Sequence, residues 1–296
     1  MEKLITVTGT NASGKSGLGI ELAIKYNGEI VSADSRQVYK GLDLGSGKVT
    51  KAEMKGVVHH LIDVAEPNDV FSLLDFQQKA YSAIDGIHER NKLPFLVGGT
   101  GLYVNSVVDG YDIRKENLDP GLRKEIAAKS IFELTEILKE KNPKILETID
   151  LKNKRRLERA VERAVSGNTE TRENKPEYKT LVLGVTWPRE ILYERIRERL
   201  DRRLEQGMIE EVERLKAEGA TDSFLFGLGL EYRYINMYLN GEFGSYDDFY
   251  NKLFMEIRHL AKEQMTWFRK RKDIHWIDME QDPLEEACGY IDDFLE

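Results

Sequence analysis

Apolar positions follow two rhythms along the chain, and the change between them divides it. Leu4-Ile5-Thr6-Val7-Thr8 is a short, β-branched run that ends in a glycine-rich turn, and a helical period follows from about Ser16 to Tyr26. Glu29-Ile30-Val31-Ser32-Ala33 is a second strand-like run. Strand, helix and strand in about thirty residues predict a βαβ unit and a parallel sheet. Ser72-Leu73-Leu74-Asp75 has the form of a capping box and predicts a helix to about Glu89, ahead of a third strand at Phe95-Leu96-Val97. Leu181-Val182-Leu183-Gly184-Val185 predicts another strand, a long helical run starts near Arg189, and Trp276-Ile277 is expected to close the sheet.

From Arg114 to about Lys179 the strand rhythm disappears. Lys and Glu dominate, and helix starts stand at Asp119-Pro120 and Ser130-Ile131-Phe132-Glu133. The expected organisation is an α/β core made of residues 1–113 and 180–296, with C-terminal helices, interrupted by an all-helical insertion at 114–179. Apolar heptads are not sustained long enough for a coiled coil.

Composition narrows the class. The 296 residues suffice for one large domain or two small ones, and the 41% apolar fraction is that of a folded chain. No apolar run approaches the ~18 residues of a membrane span, and the start MEKLITVTGT lacks the apolar core of a signal peptide, so a cytoplasmic protein with no membrane partner is expected. The single cysteine, Cys288, excludes an internal disulfide or a cysteine-based metal cluster.

A net charge of −8 argues against a polyanionic partner until it is mapped. Residues 273–296 carry −9, and everything before them sums to +1. Three segments are basic: 151–163 at +4, 195–203 at +3 and 252–272 at +5. Placed on a helix, Lys152, Arg156, Arg159 and Arg163 fall within an arc of about 60°, apart from Glu158 and Glu162, while Leu157, Ala160, Val161, Ala164 and Val165 form an apolar arc. Arg258, Lys262 and Arg269 fall within about 40°, followed by Lys270-Arg271-Lys272. A solvated helix usually interleaves charge signs; segregation suits a phosphate backbone.

Gly9-Thr10-Asn11-Ala12-Ser13-Gly14-Lys15-Ser16 fits G-x-x-x-x-G-K-[ST], between a strand and a helix as that motif requires. Its backbone N–H groups would converge on phosphate, with Lys15 adding charge and Ser16 placed to ligate Mg²⁺. The core is therefore expected to be P-loop NTPase-like. A nucleotide hydrolase would carry an acid at the end of an apolar strand to hold the metal. Here Phe95-Leu96-Val97 runs into Gly98-Gly99-Thr100-Gly101-Leu102-Tyr103, and the acid at a strand end is Asp34, in Ala33-Asp34-Ser35-Arg36-Gln37. Ligands of such sheets lie beyond the strands' carboxyl ends, so Asp34 and Thr100 should border the phosphate. The pattern favours group transfer over hydrolysis and leaves a small-molecule kinase open.

Taken with Ala261-Lys262-Glu263-Gln264-Met265-Thr266-Trp267-Phe268-Arg269, these motifs resemble the tRNA dimethylallyltransferase family across nearly the whole chain, in its bacterial form. The resemblance implies transfer of a dimethylallyl group from dimethylallyl diphosphate to the exocyclic amine of an adenosine beside the anticodon, with Mg²⁺ and no ATP consumed. It implies that residues Gly9 to Ser16 cradle the diphosphate and that Arg199 lies near its channel. Asp34 would be the base: as the C–N bond forms the adenine nitrogen turns acidic, and a carboxylate suffices to take its proton. Thr100 would orient substrate, while Ser35, Arg36 and Gln37 would hold the extruded base. Arg123, Arg155, Arg156, Leu157, Glu158 and Arg159 match tRNA contact positions. A monomer is expected.

One departure from the family is local: Glu231 stands where a glycine precedes Tyr-Arg. His59-His60 are not expected to bind metal, because no further ligand is spaced with them. The alternatives are transfer to free AMP, a small-molecule kinase, or a catalytically silent RNA-binding protein. The basic insertion argues against the first.

Overall fold

The computed structural model describes residues 1–113, 120–167 and 173–296. The chain forms two compact units, Met1–Tyr111 with Lys175–Glu296, and Asp112–Asn174. The smaller unit ends a few residues before the expected boundary at 179, because Lys175 N–H already bonds to Gly110 O of the larger unit at 2.9 Å. The expected boundary at 114 and the helix cap at Asp119 lie outside the described residues.

In the larger unit β1 (Lys3–Gly9) leads through α1 (Lys15–Lys25) to β2 (Gly28–Ser32), then to the two-residue β3 (His59–His60) and α2 (Leu73–Glu89). β4 (Leu93–Gly98) and α3 (Gly101–Val108) precede the insertion, which holds α4 (Pro120–Ala128), α5 (Ile131–Lys141) and α6 (Lys154–Val165). The chain returns as β5 (Lys179–Thr186), α7 (Arg189–Glu205), α8 (Met208–Ala217), α9 (Asp222–Leu228), α10 (Leu230–Leu239), α11 (Tyr246–Phe268), β6 (Ile274–Asp278) and α12 (Pro283–Leu295).

The six strands pair in the order β3-β2-β4-β1-β5-β6, all parallel. A parallel sheet covered on both faces needs strands apolar on both. β1 meets that demand by alternation: Leu4 packs with Phe76 of α2 and Tyr103 and Val104 of α3, whereas Ile5 and Val7 pack with Leu18 and Leu22 of α1 and Ile291 of α12. Phe76 and Tyr103 stack with centroids 3.9 Å apart. The expected capping box is present, since Ser72 Oγ accepts from Asp75 N–H and Asp75 accepts from Ser72 N–H. A separate apolar cluster joins α7 to α11 with the loop around Val38 and Leu42. The carboxyl ends of β1, β2 and β4 thus open between the sheet and that helical layer.

In the insertion α5 starts on a second capping box, Ser130 with Glu133, and α6 on Asn153, whose side chain accepts from Arg156 N–H. Leu157, Ala160, Val161 and Ala164 form this unit's own core with Leu134 and Leu138. Two sequence expectations are corrected here. Lys152 precedes the Asn153 cap and lies off the helix, and Val165 is exposed at the helix's last turn. Among the described residues no helix is long and apolar enough to cross a membrane.

Candidate active site

The glycine-rich segment turns tightly off β1 into α1. Thr10 and Ser13 are buried, Ala12 has φ +56 and Gly14 has φ +88, so the loop holds left-handed backbone at two positions. Its carbonyls are taken up by donors. Ser13 Oγ donates to Thr10 O at 2.7 Å, Lys15 Nζ to Thr10 O at 3.1 Å, Trp187 Nε1 to Ser13 O at 2.9 Å and Arg195 Nε to Ala12 O at 3.1 Å. Gln264 Oε1 accepts from Asn11 N–H at 2.8 Å, while Gln264 Nε2 donates to Gly99 O at 2.9 Å, tying α11 to the loops after β1 and β4. With the carbonyls occupied, the first N–H groups of α1, which have no intrahelical partner, remain to meet an anion.

The segment forms one wall of a cleft of about 610 Å³ lined also by Asp34, Arg36, Gln37, Gly47, Arg199, Arg203 and Glu231. This volume is in the range of small-molecule sites. Ser16, in the first turn of α1, is half-buried in the same wall. Burial, and then the charge of Arg199, lower the Lys15 ammonium to about 8. Arg199 is lowered by burial and next by Arg203. A guanidinium keeps its proton at neutral pH, so Arg199 stays charged in spite of its burial and of the repulsion from Arg203, and an anion beside it would be favoured. Burial opposes the charge of Arg36, but Glu231 and Asp34 outweigh it and raise its pKa.

Asp34 follows β2. One carboxylate oxygen, Oδ1, accepts from Arg36 N–H at 2.9 Å, so Asp34 both caps the following turn and lines the cleft. Thr100 is half-buried beside the cleft rather than in its lining; its Oγ1 accepts from Ser35 N–H at 3.1 Å and its N–H bonds to Ala33 O at 3.2 Å. Its observed work is to pin the backbone flanking Asp34 on both sides. Arg36 and Gln37 also do structural work. Arg36 Nη1 pairs with Glu231 at 2.7 Å, and Gln37 accepts from Ser32 Oγ at 3.1 Å and donates to Gly47 O at 3.3 Å.

These features agree with relationships found by comparison. The IPP transferase family model matches residues 37–271, and the isopentenyl transferase model matches 2–71. The chain belongs to the IPP transferase family. It is 43% identical to tRNA dimethylallyltransferase 2 of Shewanella sediminis, with 98% of each chain covered. It is 42% identical to the tRNA dimethylallyltransferase of Exiguobacterium sp., covering 99% of this chain and 96% of that one. The crystal structure of the tRNA isopentenylpyrophosphate transferase from Bacillus halodurans matches with a TM-score of 0.75 at 35% identity, over 99% and 98% of the two chains. A eukaryotic dimethylallyltransferase acting on tRNA shares the fold, at a TM-score of 0.84 and 23% identity. The chain is thus an IPP transferase with the P-loop-like α/β fold of that family.

In this IPP transferase the other expected contacts separate by exposure. Arg155 and Arg156 are exposed on α6. Arg159 pairs with the buried Glu162 at 2.5 Å, and Arg123 lies 3.9 Å from the same carboxylate. Glu158 is half-buried and 3.8 Å from Lys154. Leu157 is corrected as a contact: its side chain is completely buried in the insertion's core, where the 3.6-residue period sends it. Arg271, in the basic run that follows the stripe of α11, is already neutralised, since it pairs with Asp109 and Asp273 at 2.6 Å each. His60 pairs with Glu29 at 2.7 Å, a structural use. Sequence reasoning assigns no role to Trp187, Arg195, Arg203 or Gln264. Gln264 stands inside a recognised motif and Arg203 inside a basic segment, but Trp187 carries no signal, because its partner is a backbone carbonyl.

Proposed function

We propose that this IPP transferase moves the dimethylallyl group of dimethylallyl diphosphate onto the N6 amine of the adenosine 3′ of the anticodon in tRNA, assisted by Mg²⁺. The observation that carries the reading is the meeting of Lys15, Arg199 and Asp34 in one cleft at the carboxyl end of the sheet. Dimethylallyl diphosphate and tRNA are the two substrates, and the enzyme works as a cytoplasmic monomer. One chain supplies the phosphate loop, the arginines and the carboxylate of the cleft, so the site needs no second copy to complete it.

The diphosphate rests on the N-terminal amides of α1 with Lys15 and Arg199, which stabilise the charge that grows on the leaving oxygen. The adenine N6 attacks the allylic carbon, the C–O bond to diphosphate breaks, and the N6 proton passes to the Asp34 carboxylate. Thr100 keeps that carboxylate aimed through its bonds to Ser35 and Ala33. For Mg²⁺ the fitting protein donor would be the Ser16 hydroxyl, a hard oxygen next to Lys15 in the cleft wall. Bound there, the ion would neutralise diphosphate charge. Arg123, Arg155, Arg156, Glu158 and Arg159 of the insertion would meet the RNA.

Incubation with dimethylallyl diphosphate, Mg²⁺ and either unmodified tRNA or AMP, followed by digestion and mass spectrometry, tests the reading. The expected result is a prenyl mass shift on tRNA adenosine. A shift on AMP alone, or on neither, overturns it.

A further inference from the structure

Glu231 is a carboxylate in the wall of an anion-binding cleft, where a negative charge should work against the ligand. It is only 6% exposed. It stands in the first turn of α10 immediately after Leu230, whose φ of +38 is left-handed backbone that leucine rarely adopts. Such strain persists only where surrounding contacts hold it, and functional sites are where it collects. The next residue, Tyr232, is fully buried, with its hydroxyl accepting from Ser46 N–H at 3.0 Å and donating to Glu211 at 2.9 Å. The backbone that presents Glu231 is therefore anchored.

The two oxygens of Glu231 are used unequally. Oε2 accepts a short bond from Arg36 Nη1 at 2.7 Å, while Oε1 is 3.7 Å from Arg203 Nη1, beyond hydrogen-bond range. Arg203 follows Arg199 by one turn of α7, and both guanidinium groups crowd Gly47. A Cβ there would lie 1.6 Å from Arg203 Nη2 and 2.0 Å from Arg199 Nη2, and Gly47 also has φ +63. The two guanidinium groups thus occupy the space that a side chain at 47 would take, and the left-handed backbone there favours glycine. Among the described residues Arg199 has no carboxylate within ion-pair distance, and Arg203 has only the long approach to Glu231. Two half-buried guanidiniums with unspent donors lie near Lys15, whose pKa both of them depress.

We propose that Arg203 extends the diphosphate site beyond the phosphate loop and that Glu231 is its resident counter-ion, surrendering Arg203 to phosphate oxygens when the ligand binds. This rests on the diphosphate reading above. In the free enzyme Glu231 fixes Arg36 and offsets part of the arginine charge. With ligand present its charge opposes the phosphates, holding affinity down and favouring release of the diphosphate product. A residue serving only to position arginines would act in the opposite sense, since its loss could only weaken anion binding.

Calorimetric titration with inorganic pyrophosphate and Mg²⁺ separates the two. Glu231→Gln keeps an oxygen for Arg36 but removes the charge, and should tighten pyrophosphate about tenfold, the scale of one charge acting across several ångströms at an effective dielectric of roughly 20. Arg203→Met should weaken it about tenfold, Arg203→Lys should recover part of that affinity, and the gain from Glu231→Gln should shrink in the Arg203→Met background. Thermal melts without ligand confirm that each variant is folded. If the wild-type enzyme does not bind pyrophosphate, the diphosphate reading fails and this proposal with it. If the wild type binds but Glu231→Gln does not tighten binding, or Arg203→Met does not weaken it, this proposal alone is overturned.

Discussion

Asp34 carries two duties that a single substitution can separate. One oxygen caps the turn through Arg36 N–H, and the carboxylate also faces a cleft where a proton must be received. Asp34→Asn keeps an oxygen for the turn but supplies no base. Transfer should fall by about 10²–10⁴, the usual range for removing a positioned base, while tRNA affinity in a filter-binding assay stays within a factor of about two. A comparable drop in affinity would remove the base assignment. Lys15 offers a titration. Its pKa of about 8 arises from burial and from Arg199, and a bound diphosphate offsets both influences by placing opposite charge beside the ammonium. Pyrophosphate binding should therefore weaken as pH rises through about 8, with proton uptake on binding just above that value. Lys15→Met should lack the step once the probe's own titration, common to both proteins, is subtracted. For the free enzyme the stability sign is opposite to that of an ordinary salt-bridged lysine. The buried ammonium costs stability in full below pH 8, and the cost fades as pH climbs toward 10.5, the ordinary value for lysine. Asp34 and Lys15 are legible in the sequence because each sits at a fixed offset from a strand end. Glu231 is legible only as an anomaly, since its partners Arg36 and Arg203 are distant in sequence and its meaning lies in their charges.

At the scale of an element, α6 shows what periodicity can and cannot deliver. Its apolar arc is as periodicity predicts at Leu157, Ala160, Val161 and Ala164. Its start lies two residues later than the expected one, because Asn153 spends its side chain on Arg156 N–H and Lys152 lies outside that cap. The basic face survives the correction in shorter form. Arg156 is exposed, and Arg159 is half engaged by Glu162 at 2.5 Å. Reversing both charges, Arg156→Glu with Arg159→Glu, should weaken tRNA binding and reduce the slope of log K against log salt by about two, one for each phosphate no longer neutralised. An unchanged slope would place the RNA elsewhere. Helices α2 and α5 are the most legible, for a local reason: each opens with a Ser and an acidic residue three positions on, and both boxes close as the sequence suggests.

Across the molecule, the parallel sheet, the interrupting helical unit and the phosphate loop at the mouth of β1 are all readable, since each rests on patterns within about thirty residues. The acidic C-terminal segment, distinguished in the sequence only by its charge, is a packed element. Helix α12 buries Ala287, Cys288 and Ile291 against the sheet layer of α1, Lys3 Nζ donates to Leu295 O at 2.6 Å and Tyr26 donates to Asp292 at 2.6 Å. Partners separated by most of the chain are not readable, and they are what complete the site. Gln264 is one such residue, bonded at once to the loops after β1 and β4. Synthesis runs from the amino end, so a nascent chain that has reached only β5 already has the phosphate loop, Asp34 and Thr100, yet lacks the α11 amide that joins the loops carrying them. The phosphate loop is made before the helix that anchors it, and is completed as a surface only when that helix arrives. Any premature stop before α11 then leaves a recognisable phosphate loop with its Asn11 amide unanchored.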